Sequence, residues 1–318
     1  MGGFSGEAEI SRKSARVIAE HLDEEQFNIY LVEVKPDHWW VEWQGRQLAV
    51  NRDDFSIKTP EGSIHLEAAF NAIHGKPGED GPLAGYFELL GIPHTASGSF
   101  ESALTFNKGE CNIILQKRGY QCPPARFINT AVRGWEIEVL EQSHFPCFVK
   151  PSRSGSSIGV SKVKQATGLL AAVEKAKTID HKVLIEEMIT GTELACGVWN
   201  ARGKVEALAV TDIVPQNDFF DYESKYSGLS EEVTPARISD QLYRQVILLS
   251  EAIYRELNLN GLARVDFIAQ AETPYLIEVN TVPGFSAESI LPKQAQRAGL
   301  SLTELFNLTL EKALNEKT

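Results

Sequence analysis

Two apolar runs set the tightest limit on how this 318-residue chain folds: Leu262 to Phe267, which carries Asp266, and Tyr275 to Val279, which leads through Glu278 to Asn280. Runs of this length read as strands. Two antiparallel strands bring Asp266, Glu278 and Asn280 to one point. The apolar flanks bury these groups, and burial demands partners for them. Three hard oxygen donors suit Mg²⁺, which keeps waters for substrate phosphates. Arg264 stands two residues before Asp266, so the pair shares one face of its strand. A cation beside such a site fits phosphoryl or acyl-phosphate chemistry.

The rest of the composition narrows the class. Hydrophobic residues at 43% and charged residues at 23% are a globular balance with material for sizeable cores. A net charge of −12 argues against nucleic acid as a partner. Any anionic substrate must then be met by local cations or metal. Cys111, Cys122, Cys147 and Cys196 form no C-x-x-C pair, which excludes a zinc ribbon and points to a reducing, cytoplasmic setting. No apolar run is long enough for a membrane helix, and the first residues lack the basic start and apolar core of a signal peptide.

Periodicity outlines an α/β chain, α+β in its overall mix, in three parts: 1–93, 94–182 and 183–318. Val17, Ile18 and Leu22 predict a helix over 11–22 capped by Ser11. Phe27 to Val34 reads as a strand, and Trp39 to Val50 as a hairpin turning at Gln44-Gly45. Leu83 to Leu90 reads as a helix stopped by Gly91. One helix is expected over 102–117, a strand from Phe145 to Lys150, a helix over 165–177 and a strand from Val183 to Ile189 that opens the third part. Helices are expected over 241–257 and 302–315. Residues 217–234 lack periodicity and suit a lid or binding loop.

Three loops carry candidate chemistry. Residues 152–159 are rich in Ser and Gly, so their backbone N–H groups can face an anion. No G-K-[ST] ends the loop, so it is not a Walker loop. A flexible turn accounts for it equally well on composition alone. Lys150 and Lys108 are candidates for phosphates. Around Glu186 to Ile189, backbone groups can hold an adenine and a carboxylate a ribose; a solvated acidic turn is the other reading. His74, in a loop that continues through Glu79 and Asp80, is either a ligand contact or a histidine satisfied by the protein.

Taken in order, GGFSGE at 2–7, HGKPGEDG at 74–81, VKPSRSGSSIGV at 149–160, VLIEEMITGTE at 183–193, FFDYESKY at 219–226, ARVDF at 263–267 and IEVNTVPGFSAESILP at 277–292 resemble the D-alanine–D-alanine ligases of the ATP-grasp superfamily. The resemblance runs nearly end to end. It implies three α/β domains with ATP between the central and C-terminal ones, and a cytoplasmic enzyme that joins two D-alanines through an acyl phosphate for peptidoglycan. It implies two Mg²⁺ ions, with Mn²⁺ as a substitute, held by Asp266, Glu278 and Asn280. Arg264 and the N–H of Gly284 would stabilise the oxyanion. Lys108, Lys150, Lys225, Ser156 and Ser157 would bind the nucleotide's phosphates; Glu186, Glu187, Ile189 and Glu193 its adenosine. Glu7 would meet the first ammonium and join Ser156 and Tyr226 in a network. His74 would lie near the reacting alanines, and Ser289 and Ile290 would take the second carboxylate. A homodimer built through the first domain is implied as well.

Some positions depart from that pattern. Relatives carry an apolar strand before the GGFSGE loop, so the natural start is expected upstream or the chain is short there. Glu187 replaces a lysine found in some relatives, Asn107 an aspartate, and His94 a tyrosine. YESKY at 222–226 favours D-alanine over D-lactate as second substrate, since D-lactate ligases use a histidine there. Another amino-acid or depsipeptide ligase, and a nucleotide-binding module without catalysis, remain the other readings.

Overall fold

The computed structural model describes residues 1–140, 144–215, 230–286 and 289–316. The first helix, α1 (Ala8–His21), begins three residues before its expected start, with Glu7 at its cap. Ser11 does not cap it. Ser11 and Ser14 are fully buried on the same face as Ala15 and Ile18, and Ser11 Oγ accepts the Gly2 N–H at 2.9 Å. The helix therefore turns a partly polar stripe inward.

Five antiparallel strands follow in chain order: β1 (Val32–Val34), β2 (Trp39–Trp43), β3 (Arg46–Asn51), β4 (Ser56–Thr59) and β5 (Gly62–His65). Gln44 and Gly45 both take positive φ, 48° and 73°, as a two-residue hairpin with right-handed strand twist requires. The strand expected from Phe27 is limited to β1. Helix α2 (Pro82–Leu90) ends where Gly91 enters the left-handed region at φ 66°. Val41, Ile57, Ile73 and Phe87 share this core. Beside Met1 runs an apolar cavity of 310 Å³ between Ile18, Leu31 and Phe70.

The single helix expected over 102–117 is two, α3 (Ser99–Phe106) and α4 (Lys108–Lys117). Asn107 leaves helical geometry between them, and its side-chain oxygen accepts the Ser152 hydroxyl at 2.7 Å. The break places Lys108 in the first turn of α4.

A second sheet holds β6 (Ala125–Asn129), β7 (Cys147–Pro151), β8 (Ser161–Val163) and β9 (Lys182–Glu187) in the order β6-β9-β7-β8. Helices α5 (Trp135–Leu140) and α6 (Leu169–Lys177) cover it around Val149, Val173 and Val183. The strand expected to open the third part is thus an inner strand of this sheet, and the chain changes sheet after Glu187. Alternation alone does not reveal which sheet a strand joins.

The third sheet runs β12-β11-β10-β13-β14, with β10 (Thr192–Trp199), β11 (Glu206–Pro215), β12 (Ser230–Val233), β13 (Ala263–Gln270) and β14 (Thr273–Asn280). Helix α7 (Asp240–Glu256), capped by Ser239, packs Val246 and Ile253 against Leu115 of α4 and against Val265 and Leu276. Helices α8 (Ile290–Arg297) and α9 (Leu302–Asn315) lie in a separate core, where Phe306 and Phe285 meet Ile18 of α1. The first helix and the last therefore share one core.

Leu276 is 1% exposed and sits on the strand that carries Glu278 and Asn280. Leu276→Ala is expected to lower unfolding free energy by about 2–5 kcal/mol. A urea melt with a midpoint unchanged from the parent chain refutes this placement of the core.

Candidate active site

The expected hairpin is present: β13 and β14 pair Asp266 with Glu278 and Arg264 with Asn280. Arg264 grips Asp266 through Nε at 2.8 Å and Nη2 at 2.7 Å. Asn280 Nδ2 donates to Asp266 Oδ2 at 2.9 Å, which leaves its carbonyl oxygen as the end offered to a ligand. Glu278 pairs with Lys108 Nζ at 3.0 Å, and the same ammonium donates to the Ser154 carbonyl at 2.7 Å. Burial opposes the charge on Arg264 and on Lys108, but Asp266 in one case and Glu278 in the other outweigh it and raise both pKa values. Both cations stay charged.

Among the described residues no three His, Cys, Asp or Glu side chains form a metal cluster. The donor set instead comprises two carboxylates and one amide oxygen. Hard oxygens at the wall of a cavity fit Mg²⁺ or Mn²⁺ better than zinc or copper.

That cavity, about 430 Å³, lies between the second and third sheets and reaches Glu7 and His74. At its far end Lys150 Nζ and Glu186 Oε1 form a buried ion pair at 2.7 Å. The other Glu186 oxygen, Oε2, is buried without a hydrogen-bond partner. Glu187 and Met188 give their N–H groups to the carbonyls of Pro124 and Pro146, so neither N–H is offered to a ligand. Glu193 and Ser157 also line the space. In the Ser/Gly loop, Ser156 and Ser157 take φ of 48° and 56°, a conformation unusual for residues with a Cβ. Arg153 anchors the loop by a two-point grip on Asp180.

Glu7 is held from several sides. Its carboxylate accepts the Ser156 hydroxyl at 2.5 Å. A Cβ on Gly75 would come within 2.9 Å of Glu7 Oε2, and one on Gly155 within 2.6 Å, so two glycine backbones enclose it. Glu79 accepts the Gly75 N–H at 2.6 Å. Burial, then the charge of Glu7, pushes Glu79 up to about 8. His74 proves to be satisfied by the protein: Nε2 faces Ser14 Oγ at 3.0 Å and Nδ1 the Val282 carbonyl at 2.7 Å. Ser289 stands at the N-cap position of α8 without a side-chain capping bond, its hydroxyl 3.0 Å from Ser286 Oγ and close to Gly284, with Ile290 as the first residue of the helix. Lys225 and Tyr226 lie outside the described residues.

The chain matches the family described as D-ala D-ala ligase N-terminus over residues 1–97 and the one described as D-ala D-ala ligase C-terminus over 125–311. It is 42% identical to a D-alanine–D-alanine ligase of Christiangramia forsetii over 100% of this chain and 98% of that protein. It is 40% identical to one of Flavobacterium johnsoniae over 99% and 98%. This chain belongs to the D-alanine–D-alanine ligase family. Solved structures agree. D-alanyl-alanine synthetase A of Vibrio cholerae superposes with a TM-score of 0.89 at 28% identity, covering 99% of this chain and 97% of that one. The VanG D-Ala:D-Ser ligase of Enterococcus faecalis gives 0.88 at 29%, covering 98% and 97%. The family's ATP-grasp fold accounts for the cavity between two sheets. A Bacillus anthracis D-alanine–D-alanine ligase solved with ATP matches at 0.77 and 27% identity, covering 100% and 96%.

Three buried polar residues escaped the motif-based assignment in this family member. Glu79 lies within a motif but was assigned no role. Ser14 lies seven positions after Glu7; small polar residues at helical spacing on an apolar face were the available signal. Gln294 bridges the Gly197 N–H at 2.9 Å, the Ala195 carbonyl at 2.8 Å and Thr211 Oγ1 at 3.0 Å, fixing α8 to the sheet. A lone glutamine in a polar helix gives no such signal.

Glu79 links pH to stability. Its pKa is about 8 folded against 4.5 for the free side chain. Between those values the folded state binds more protons, so stability falls as pH rises from 4.5 toward 8. Glu7 and Glu278 reinforce the shift; the Gly75 N–H and Lys108 oppose it. Glu79→Gln should flatten this slope, gaining on the parent chain by on the order of 1 kcal/mol per pH unit. Parallel stability–pH curves for the two proteins would contradict it.

Proposed function

We propose that this chain joins two D-alanine molecules at the expense of ATP, forming D-alanyl-D-alanine, ADP and phosphate for peptidoglycan. The observation that carries the reading is the Arg264–Asp266–Asn280 cluster beside the Glu278–Lys108 pair on the wall of one cavity. The first D-alanine's carboxylate attacks the γ-phosphorus of ATP, the bond from that phosphorus to the bridging oxygen breaks, ADP leaves and D-alanyl phosphate forms. The neutral amine of the second attacks its carbonyl carbon, and the C–O bond to phosphate breaks.

Lys108, Lys150, Lys225 and the Ser156–Ser157 backbone bind phosphates in this reading. Glu186, Glu187, the Ile189 backbone and Glu193 take the adenosine. Glu7 meets the first ammonium, with Ser156 and Tyr226 completing its network. Asp266, Glu278 and Asn280 would hold two Mg²⁺ ions, for which Mn²⁺ could substitute. Such ions neutralise phosphate charge and align the transfer. Arg264 already has its fork on Asp266, so it reaches the tetrahedral oxyanion from a fixed position, together with the Gly284 N–H. Ser289 and the Ile290 N–H, at the start of α8, receive the second carboxylate. His74 orders the protein around the alanines. A closed site matters because water destroys an acyl phosphate.

We place the reaction in the cytoplasm, in keeping with four free buried thiols, and read the working form as a homodimer of three-part chains. No helix among the described residues is long and apolar enough to cross a membrane.

Purified protein with ATP and Mg²⁺ is expected to release phosphate with D-alanine and not with L-alanine, with D-alanyl-D-alanine identified by mass. D-Serine and D-lactate added as competitors should not displace D-alanine from the second position at pH 7. Arg264→Ala should lower kcat by about 100- to 1,000-fold. Phosphate release without dipeptide, or dipeptide at parental rate from Arg264→Ala, would refute the assignment.

A further inference from the structure

We infer that Ser14, acting through His74, is a positioning residue for the loop that presents the Gly284 N–H. The inference rests on the ligase reading and adds to it a residue outside the substrate cavity.

The argument begins with hydrogen-bond counting. Phe285 donates its N–H to Ser14 Oγ at 3.0 Å. Ser14 Oγ faces His74 Nε2 at 3.0 Å, and His74 Nδ1 faces the Val282 carbonyl at 2.7 Å. A carbonyl only accepts, so Nδ1 carries a proton. With a neutral ring, Nε2 accepts and the Ser14 hydroxyl donates to it. Every group in the chain is then satisfied. Protonating Nε2 would force Ser14 Oγ to accept from both Nε2 and Phe285, stranding its own hydrogen. Ser14 is 0% exposed and His74 5%, so no water repairs that loss. The contacts themselves select the neutral Nδ1–H tautomer, and burial lowers the His74 pKa in the same direction.

The geometry of the two anchors gives this network its purpose. One holds Val282 and the other Phe285, on either side of Pro283-Gly284. Both lead to α1, whose cap residue is Glu7. Glu7 and Ser14 are two turns apart on one helix, roughly 10 Å along its axis. One rigid element therefore sets both the carboxylate proposed for the first ammonium and the loop proposed for the oxyanion. The ammonium and the reacting carbonyl of one activated D-alanine are indexed to a single ruler.

Ser14→Ala removes the bridge and keeps the volume. It should lower kcat by about 10- to 100-fold, less than loss of an oxyanion donor itself. KM for ATP should stay within about two-fold, because the nucleotide end of the cavity is untouched. Ser14→Cys, which keeps a weak donor and acceptor, should recover part of kcat. In nitrogen-15 spectra of the histidine-labelled parent chain, His74 should remain neutral with the proton on Nδ1 from pH 6 to 9. Ser14→Ala should mix its tautomers. Dipeptide formation at parental rate by Ser14→Ala overturns the inference, as does an equal loss of kcat in Ser14→Ala and Ser14→Cys with the tautomer unmoved. A parent chain that makes no dipeptide refutes the ligase reading instead. The spectra still decide on the bridge in that case, and an Nε2–H or charged His74 in the parent overturns it.

Discussion

Carboxylates that leave water must find cations, hydrogen-bond donors or protons, and this requirement organises the centre of the molecule. Asp266 is answered by Arg264 and Asn280 from its own hairpin. Glu278 is answered by Lys108 from α4. Glu7 is answered by the Ser156 hydroxyl, with two glycines packed closely around it. Glu79, with the least help, keeps a proton. Five chain segments far apart in sequence meet in one place, where most of these acids find what they need. The helix break at Asn107 and the anchored 152–159 loop make sense in these terms, since both place a donor at that centre.

The framework around the centre is conventional packing. The second and third sheets each bury one face under helices and leave an edge of the cavity between them. Helix α1 packs into the same core as α8 and α9, so the first residues of the chain are fixed against the last. Buried polar anchors add orientation to that packing: Gln294 holds α8, Asp180 holds the Ser/Gly loop, and Glu79 holds the Gly75 turn. Gln294 and Asp180 do not line the cavity, whereas Glu79 does, and each fixes a segment beside it.

Much of this was legible in the sequence. Alternation and acidic ends located the β13–β14 hairpin and put Asp266, Glu278 and Asn280 together. Positive-φ residues located the Gln44-Gly45 turn and the end of α2. Reading failed where tertiary partners decide. Ser11 looked like a cap but is an acceptor for Gly2, and α1 starts earlier. The 102–117 segment has helical character throughout, and at its break Asn107, Lys108 and Gly109 bond to Ser152, a partner distant in sequence. The strand at 183 was visible, but not its place between β6 and β7. His74 was open between ligand contact and satisfied core residue, and Ser14 and Val282, distant in sequence, settle its ring nitrogens.

The grip on Glu7 has a mechanical consequence. Gly75 belongs to one loop and Gly155 to another, and the carboxylate fills the gap between them with Ser156 closing it. Separating the two loops cannot leave that acid as it is: it must meet water. Parting of these two loops and hydration of Glu7 are then one event. The Ser156 hydroxyl, 2.5 Å from the carboxylate, ties its loop to the start of α1, so the loop cannot move off without giving up that bond.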